Sequence, residues 1–329
     1  MSAFRSPAIA LCALACACAA ACGAPRAPRE TNPDAPALGG THTAAQSASG
    51  AGAQSSAAPA SAPRKSGLEI ARVGGASIDA SELLGMWMHS ESGALGEYVD
   101  RLVNTRIARD EARRLGVRIG ADEVDARYQT ARAELDALVK KQGFPAGADA
   151  YVRERLGLEP QRYFERVREQ CEDQLRAERA VRTWLHSSER AALHVIVVAD
   201  AARAQEVRTA LDGGMSFEDA AKRYSLDPSR EQGGRVPPVV RSERSPLAQL
   251  AFRTRPGDVA GPLEQEGKLL LARVDGHLPA SNGGWAELGP EVLRSLEQQP
   301  IEDAEFWQWR AAMERFYEVD LSPLLELAR

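Results

Sequence analysis

Between Leu95 and Leu185 apolar side chains recur three and four residues apart, the period of a helix that buries one stripe. Leu95, Tyr98, Val99, Leu102, Val103, Ile107 and Ala108 share one face of a helix expected over 94–115, and Gly116 fits its C-terminal cap. A second helix is expected from about Ala121 to Gln142, stopped at Gly143-Phe144-Pro145, and a third begins near Asp149. A longer one follows Pro160, with Tyr163, Phe164, Val167, Cys171, Leu175, Val181 and Leu185 on one side. Ahead of these, residues 68–73 alternate apolar and polar like a short strand. Gly74-Gly75 makes a turn, and Asp79 or Ser81 caps the helix that follows. Residues 67–187 therefore read as a mostly helical block.

The pattern changes over 188–278. Leu193 to Val198 is a short apolar strand, and helices are expected over 200–212 and from Phe217 to Tyr224. Gly233-Gly234 and Pro237-Pro238 mark an irregular loop, and Pro246 to Arg253 a short helix. Val259 to Leu263 and Lys268 to Val274 are strand-like. This mixture makes a small α+β domain. Residues 279–329 turn helical again, with Leu293, Leu296, Phe306, Trp309, Met313, Phe316 and Tyr317 on an apolar face; Trp307, Trp309 and Tyr317 are expected in the core. The two helical blocks each need cover, so the closing segment is expected to pack on the first.

The N-terminus reads differently. One basic residue, Arg5, precedes an apolar run from Ala8 to Ala21, too short to span a bilayer and suited to a signal peptide over 1–21. Ala19-Ala20-Ala21-Cys22 resembles the bacterial lipobox, which implies lipidation at Cys22; Cys16 is an alternative. Residues 22–66 are dominated by Ala, Ser, Pro and Gly and bury too little to fold, so they read as a tether. Cys12, Cys16 and Cys18 lie in the leader and Cys22 directly after it, leaving Cys171 as a buried structural thiol and no disulfide or cysteine metal site in the rest of the chain. The net charge of −5 argues against nucleic acid as a partner. No phosphate-binding glycine loop or clustered metal ligands occur, so no cofactor and no metal are expected.

Several pieces of the middle segment together carry a resemblance. His194-Val195-Ile196-Val197 opens it, and Gly214-Met215-Ser216-Phe217 leads through Ala220-Ala221 to Tyr224-Ser225-Leu226-Asp227. Gly233-Gly234, the Leu247 to Phe252 helix and Pro256-Gly257-Asp258-Val259-Ala260-Gly261-Pro262-Leu263 follow in order. The segment resembles the parvulin family of peptidyl-prolyl isomerases, and 67–187 with the closing helices is similar to the chaperone domain of SurA- and PrsA-type foldases. The resemblance implies an α+β fold in which a helical chaperone-like domain carries an inserted parvulin domain of β-α3-β-α-β2 order over 188–278. It implies unfolded or nascent exported polypeptides with X-Pro bonds as partners. The lipobox resemblance implies a lipid-anchored place in the cell envelope, and Gly23 after Cys22, where inner-membrane retention in Gram-negative sorting has Asp, implies the periplasmic face of the outer membrane.

The chemistry implied is rotation about an X-Pro amide, whose barrier is about 18–20 kcal/mol. A catalyst needs to bind the twisted amide better than either planar form. By the resemblance His194 and Asp227 are the polar groups of the site, and Phe252 a pocket aromatic. Leu247 stands where the family has its first pocket Phe, and Leu269 where it has a second His. Both are expected to bind substrate, in a pocket that has lost part of its polar equipment. The reading that competes with isomerase is a peptide-binding chaperone.

Overall fold

The computed structural model describes residues 68–73 and 76–326. The expected signal peptide, Cys22, the tether and the Gly74-Gly75 turn lie outside the described residues. Those residues form two compact units, 96–320 and 68–95 with 321–326.

In the smaller unit β1 (Glu69–Val73) pairs antiparallel with β2 (Ala76–Asp79). The Ala80 N–H donates to the Leu68 carbonyl at 2.8 Å, which closes the hairpin where helix α1 (Ala80–Leu115) begins. All five β1 side chains are exposed, so its alternation marks no buried face. The helix breaks at Glu91 (φ −139°, ψ 49°), and its second half belongs to the larger unit. A short helix α10 (Ser322–Glu326) completes the smaller one.

The larger unit begins with helices. Gly116 ends α1 with φ +72°, where Val117 N–H reaches back to the Ala112 carbonyl at 2.8 Å. Next come α2 (Ala121–Lys141), α3 (Ala148–Glu154) and α4 (Pro160–Ser187). Val139, Val152, Phe164 and the buried Cys171 form the core among them. The other stripe of α4 faces α8 (Trp285–Gln298) and α9 (Asp303–Met313), while Ile107 and Ala108 of α1 meet Val181, Trp309 and Met313. Each Ile, Val or Met side chain removed from water there contributes about 1.5–3 kcal/mol.

Buried charge locks these helices together. Arg182 of α4 donates to Ser295 Oγ at 3.1 Å, to the Gln299 and Pro300 carbonyls at 3.2 and 3.3 Å, and to Glu305 Oε2 at 3.0 Å. Burial pushes the Glu305 carboxyl above the usual range, and Arg182 pulls it back only in part. The buried Glu111 pairs with Arg114 at 2.7 Å and accepts from the Tyr317 hydroxyl at 2.8 Å. Burial and that bond push the phenol up to about 12.

From α4 the chain enters an antiparallel sheet of order β4-β3-β6-β5: β3 (Arg190–Val198), β4 (Val239–Val240), β5 (Val259–Gln265) and β6 (Lys268–Leu278). Alternation along β3 sends side chains to two cores. Leu193 and Val195 pack with Leu270, Ala272 and helix α7 (Pro246–Arg253). Ile196 and Val198 pack with Leu271, α5 (Ala201–Asp212) and α6 (Phe217–Tyr224). A 3-10 turn spans Pro228–Gln232. The full order is therefore strand, three helical segments, strand, helix and two strands. Strand β4 has only two residues behind Pro237-Pro238, which is why local pattern shows only a loop there.

Candidate functional site

The site grows from the free side of β3, of which β4 covers only the first two residues. Beyond β4, a loop supplies the missing pairing. Val195 N–H donates to the Gly234 carbonyl at 2.7 Å, and Leu226 N–H to the Val197 carbonyl at 2.7 Å. Gly234 has φ +83°, and a Cβ there would stand 2.4 Å from the Val195 carbonyl oxygen. Only glycine lets the loop lie this close. Ser225 is buried, and its Oγ accepts from the Val197 and Asp227 amides at 3.1 and 3.2 Å. The Tyr224-Ser225-Leu226-Asp227 sequence thus pins the loop to β3. The Asp227 carboxylate caps the 3-10 turn by accepting from Ser229 N–H at 2.9 Å.

This framework borders a cleft of about 700 Å³. Asp227 and Leu269 stand at its walls with Leu247 of α7, and Val195 and Val197 of β3 also line it. The facing wall is α9, through Trp307, Gln308 and Ala311. Its size, and a lining that joins apolar side chains to polar ones such as Arg241, Glu266 and Gln308, suit a small segment of polypeptide.

The expected residues do not all meet there. Asp227, Leu247 and Leu269 share the cleft. His194 lies at a second cavity of about 280 Å³, with Arg235 and Asp275. Its Nδ1 is 2.8 Å from Asp275 Oδ2 and 3.1 Å from Arg273 Nη2, and its ring stands edge-on to Phe217. Arg273 also binds Glu218 at 2.8 Å and holds that carboxyl down at about 2. In the ladder His194 faces Arg273, whereas Leu269 faces Val198, four rungs away. A histidine at 269 would therefore not meet His194. Phe252 stacks on His277 with centroids 5.2 Å apart and lies under the Arg241 guanidinium at 4.1 Å. It supports the edge of α7 rather than lining the cleft.

Trp307 corrects an expectation. It is 57% exposed and walls the cleft, whereas Trp309 is fully buried. Two residues apart on a helix point to different sides, so the buried face that holds Trp309 and Met313 cannot hold Trp307. Gln308 was equally unforeseen. Periodicity separates the two tryptophans but does not say what the outer face of α9 meets. Among the described residues no three His, Cys, Asp or Glu side chains gather as metal ligands.

Residues 197–275 match the rotamase family, the PPIC-type PPIASE domain. The chain carries a parvulin-type domain. The match covers Asp227, Leu247, Phe252 and Leu269 and begins three residues after His194. The foldase protein PrsA of Bacillus subtilis is 28% identical over 111 residues, 33% of this chain and 36% of that protein. The chaperone SurA of Cupriavidus metallidurans is 31% identical over 98 residues, 30% of this chain and 19% of that protein. The chain thus covers well under half the length of either relative. The crystal structure of peptidylprolyl isomerase PrsA from Bacillus anthracis aligns with a TM-score of 0.32 at 20% identity, over 67% of this chain and 99% of that one.

Proposed function

We propose that this chain is a foldase for exported polypeptides that binds proline-containing segments in the cleft and speeds their cis–trans exchange. The observation that carries the reading is the cleft itself: a slot in a parvulin-type domain with apolar walls at Val195, Val197, Leu247 and Leu269, two carboxylates, Asp227 and Glu266, and basic side chains at Arg241, Arg244, Lys268 and Arg315. A planar amide is stabilised by charge separation between oxygen and nitrogen, and the twisted amide has lost it. Moving the bond from water to apolar walls such as Leu247, Val195 and Leu269 therefore disfavours the planar state more than the twisted one. His194, held by Asp275 and Arg273, acts in this reading as a support of the β3 framework rather than as a catalytic residue. Residues 67–187 with 279–329 form the chaperone-like body, and 188–278 the isomerase domain.

The test is refolding of a protein limited by a prolyl bond, with and without the full chain. Acceleration that is lost in Leu247→Asp, with far-UV circular dichroism unchanged, supports the reading; acceleration untouched by L247D overturns it. A second reading is favoured by the same tied His194 and apolar Leu269: a chaperone that binds such segments without catalysis. It predicts suppressed aggregation with no change in refolding rate.

The reading extends to a lipid anchor at Cys22 and a place on the periplasmic face of the outer membrane. Its support is the lipobox-like sequence alone. Labelled fatty acid should enter the wild-type chain and not Cys22→Ser; label retained by C22S counts against Cys22 as the anchored residue, and no label on the wild-type chain counts against the anchor.

A further inference from the structure

The outer edge of the four-stranded sheet is completed by a side chain. Val240 N–H donates to Gln308 Oε1 at 2.8 Å, and the Gln308 amide nitrogen donates to the Pro238 carbonyl at 3.2 Å. One side-chain amide thus supplies the acceptor and the donor that a neighbouring strand would supply to β4. Gln308 sits on α9, across the cleft, beside the exposed Trp307. The cleft runs along this same edge, since Val239, Val240 and Arg241 also line it.

We infer that the cleft takes its polypeptide as an added strand: an extended client segment pairs with Pro238–Val240 through its backbone and displaces the Gln308 amide. This rests on the reading of the cleft as a peptide site and specifies how the peptide is held. The edge already accepts a strand-like partner, and the cleft is continuous with it. Backbone pairing makes no demand on client sequence, which suits a foldase that meets many chains. Proline is compatible, because alternate residues of an added strand turn their N–H away from the edge. Gln308 keeps the edge satisfied when no client is present, so an open strand does not recruit a second copy of the chain.

The experiment measures fluorescence anisotropy of the full chain with a labelled ten-residue peptide of alternating Val and Thr around one Pro. Two further peptides are N-methylated on one or the other set of alternate residues. Methylation of one set is expected to weaken binding at least about ten-fold, and of the other to leave it unchanged. Gln308→Met, which keeps the side-chain length and loses the amide, is expected to tighten the parent peptide roughly ten-fold. Gln308→Glu, which keeps an acceptor for Val240 and loses the donor to Pro238, is expected to tighten it less and serves if Q308M fails to fold. Hydrogen exchange gives an independent readout: the Val240 amide exchanges faster in Q308M and slows again with peptide bound. Equal binding of all three peptides, or a Val240 amide unprotected at saturation, overturns strand addition while leaving the cleft a peptide site. No binding of the parent to either wild type or Q308M overturns the peptide-site reading as well.

Discussion

Replacing Arg182 with Met tests how the wall of the cleft is held in place. The side chain is buried, and its guanidinium serves two carbonyls, Ser295 Oγ and the Glu305 carboxylate, so it ties α8 and α9 to α4. Methionine keeps much of the apolar stem and removes the charge. Removing one partner of a buried ion pair costs about 3–5 kcal/mol, because the other stays behind desolvated. For a folding unit of this size each kcal/mol lowers Tm by about 2–4 °C, so a drop of roughly 6–20 °C is expected. The cost also depends on pH. Burial holds the folded-state pKa of Glu305 above its ordinary value of 4.5. Its contribution to stability is therefore fully present below pH 4.5 and lost as pH rises through the folded pKa. Without Arg182 that pKa rises further, so Arg182→Met should cost more at pH 8 than at pH 5. Arg182→Met combined with Glu305→Gln should recover much of the loss, since glutamine carries no charge to strand. Urea denaturation followed by circular dichroism at the two pH values measures all of this. A cost below about 1 kcal/mol, no pH dependence, or a double variant as unstable as the single one would refute the reasoning. Acrylamide quenching of tryptophan should rise in the single variant if α9 loosens.

Two further outcomes test the framework of the parvulin-type domain. Gly234→Ala places a Cβ 2.4 Å from the Val195 carbonyl oxygen at a φ of +83°, whereas Gly214→Ala at φ +91° meets nothing within 4 Å. Both bear the left-handed penalty of about 1–2 kcal/mol, so both variants are expected to melt below wild type and G234A clearly lower than G214A, and equal melting points would deny the close approach. Glu218 should titrate near 2 in an NMR pH series, and Arg273→Gln should return it towards 4.5, because the Arg273 hydrogen bond is the main cause of the depression. The stability this carboxylate adds is present above pH 4.5 and fades as pH falls through about 2; a Glu218 midpoint unmoved by R273Q would contradict that.

Much of the fold is written in local pattern. The α4 stripe from Tyr163 to Leu185, the glycine that ends α1 and the proline that starts α4 mark elements through period and cap chemistry, which need no distant partner. The parvulin-like order was legible because each piece answers a local demand. Gly234 lies against β3, and Ser225 pins the loop that bears Asp227. Strand β4 was not legible, since two valines behind two prolines become a strand only by pairing with Arg190 and Ala191.

The site divides the same way. The sequence by itself determined that a parvulin-type domain with His194, Asp227, Leu247, Phe252 and Leu269 at the named positions follows a helical body. Only the tertiary structure decided which of them share a cleft. Strand register sets His194 opposite Arg273, and Leu269 opposite Val198, and so parts two residues that the motif had placed together. Packing of α9 on α4 then brings Trp307 and Gln308 to the cleft from more than a hundred residues beyond β3. Period and motif carry information over a few residues, while a cleft is made by surfaces that meet across the chain, and that meeting is fixed by buried contacts such as Arg182 with Glu305.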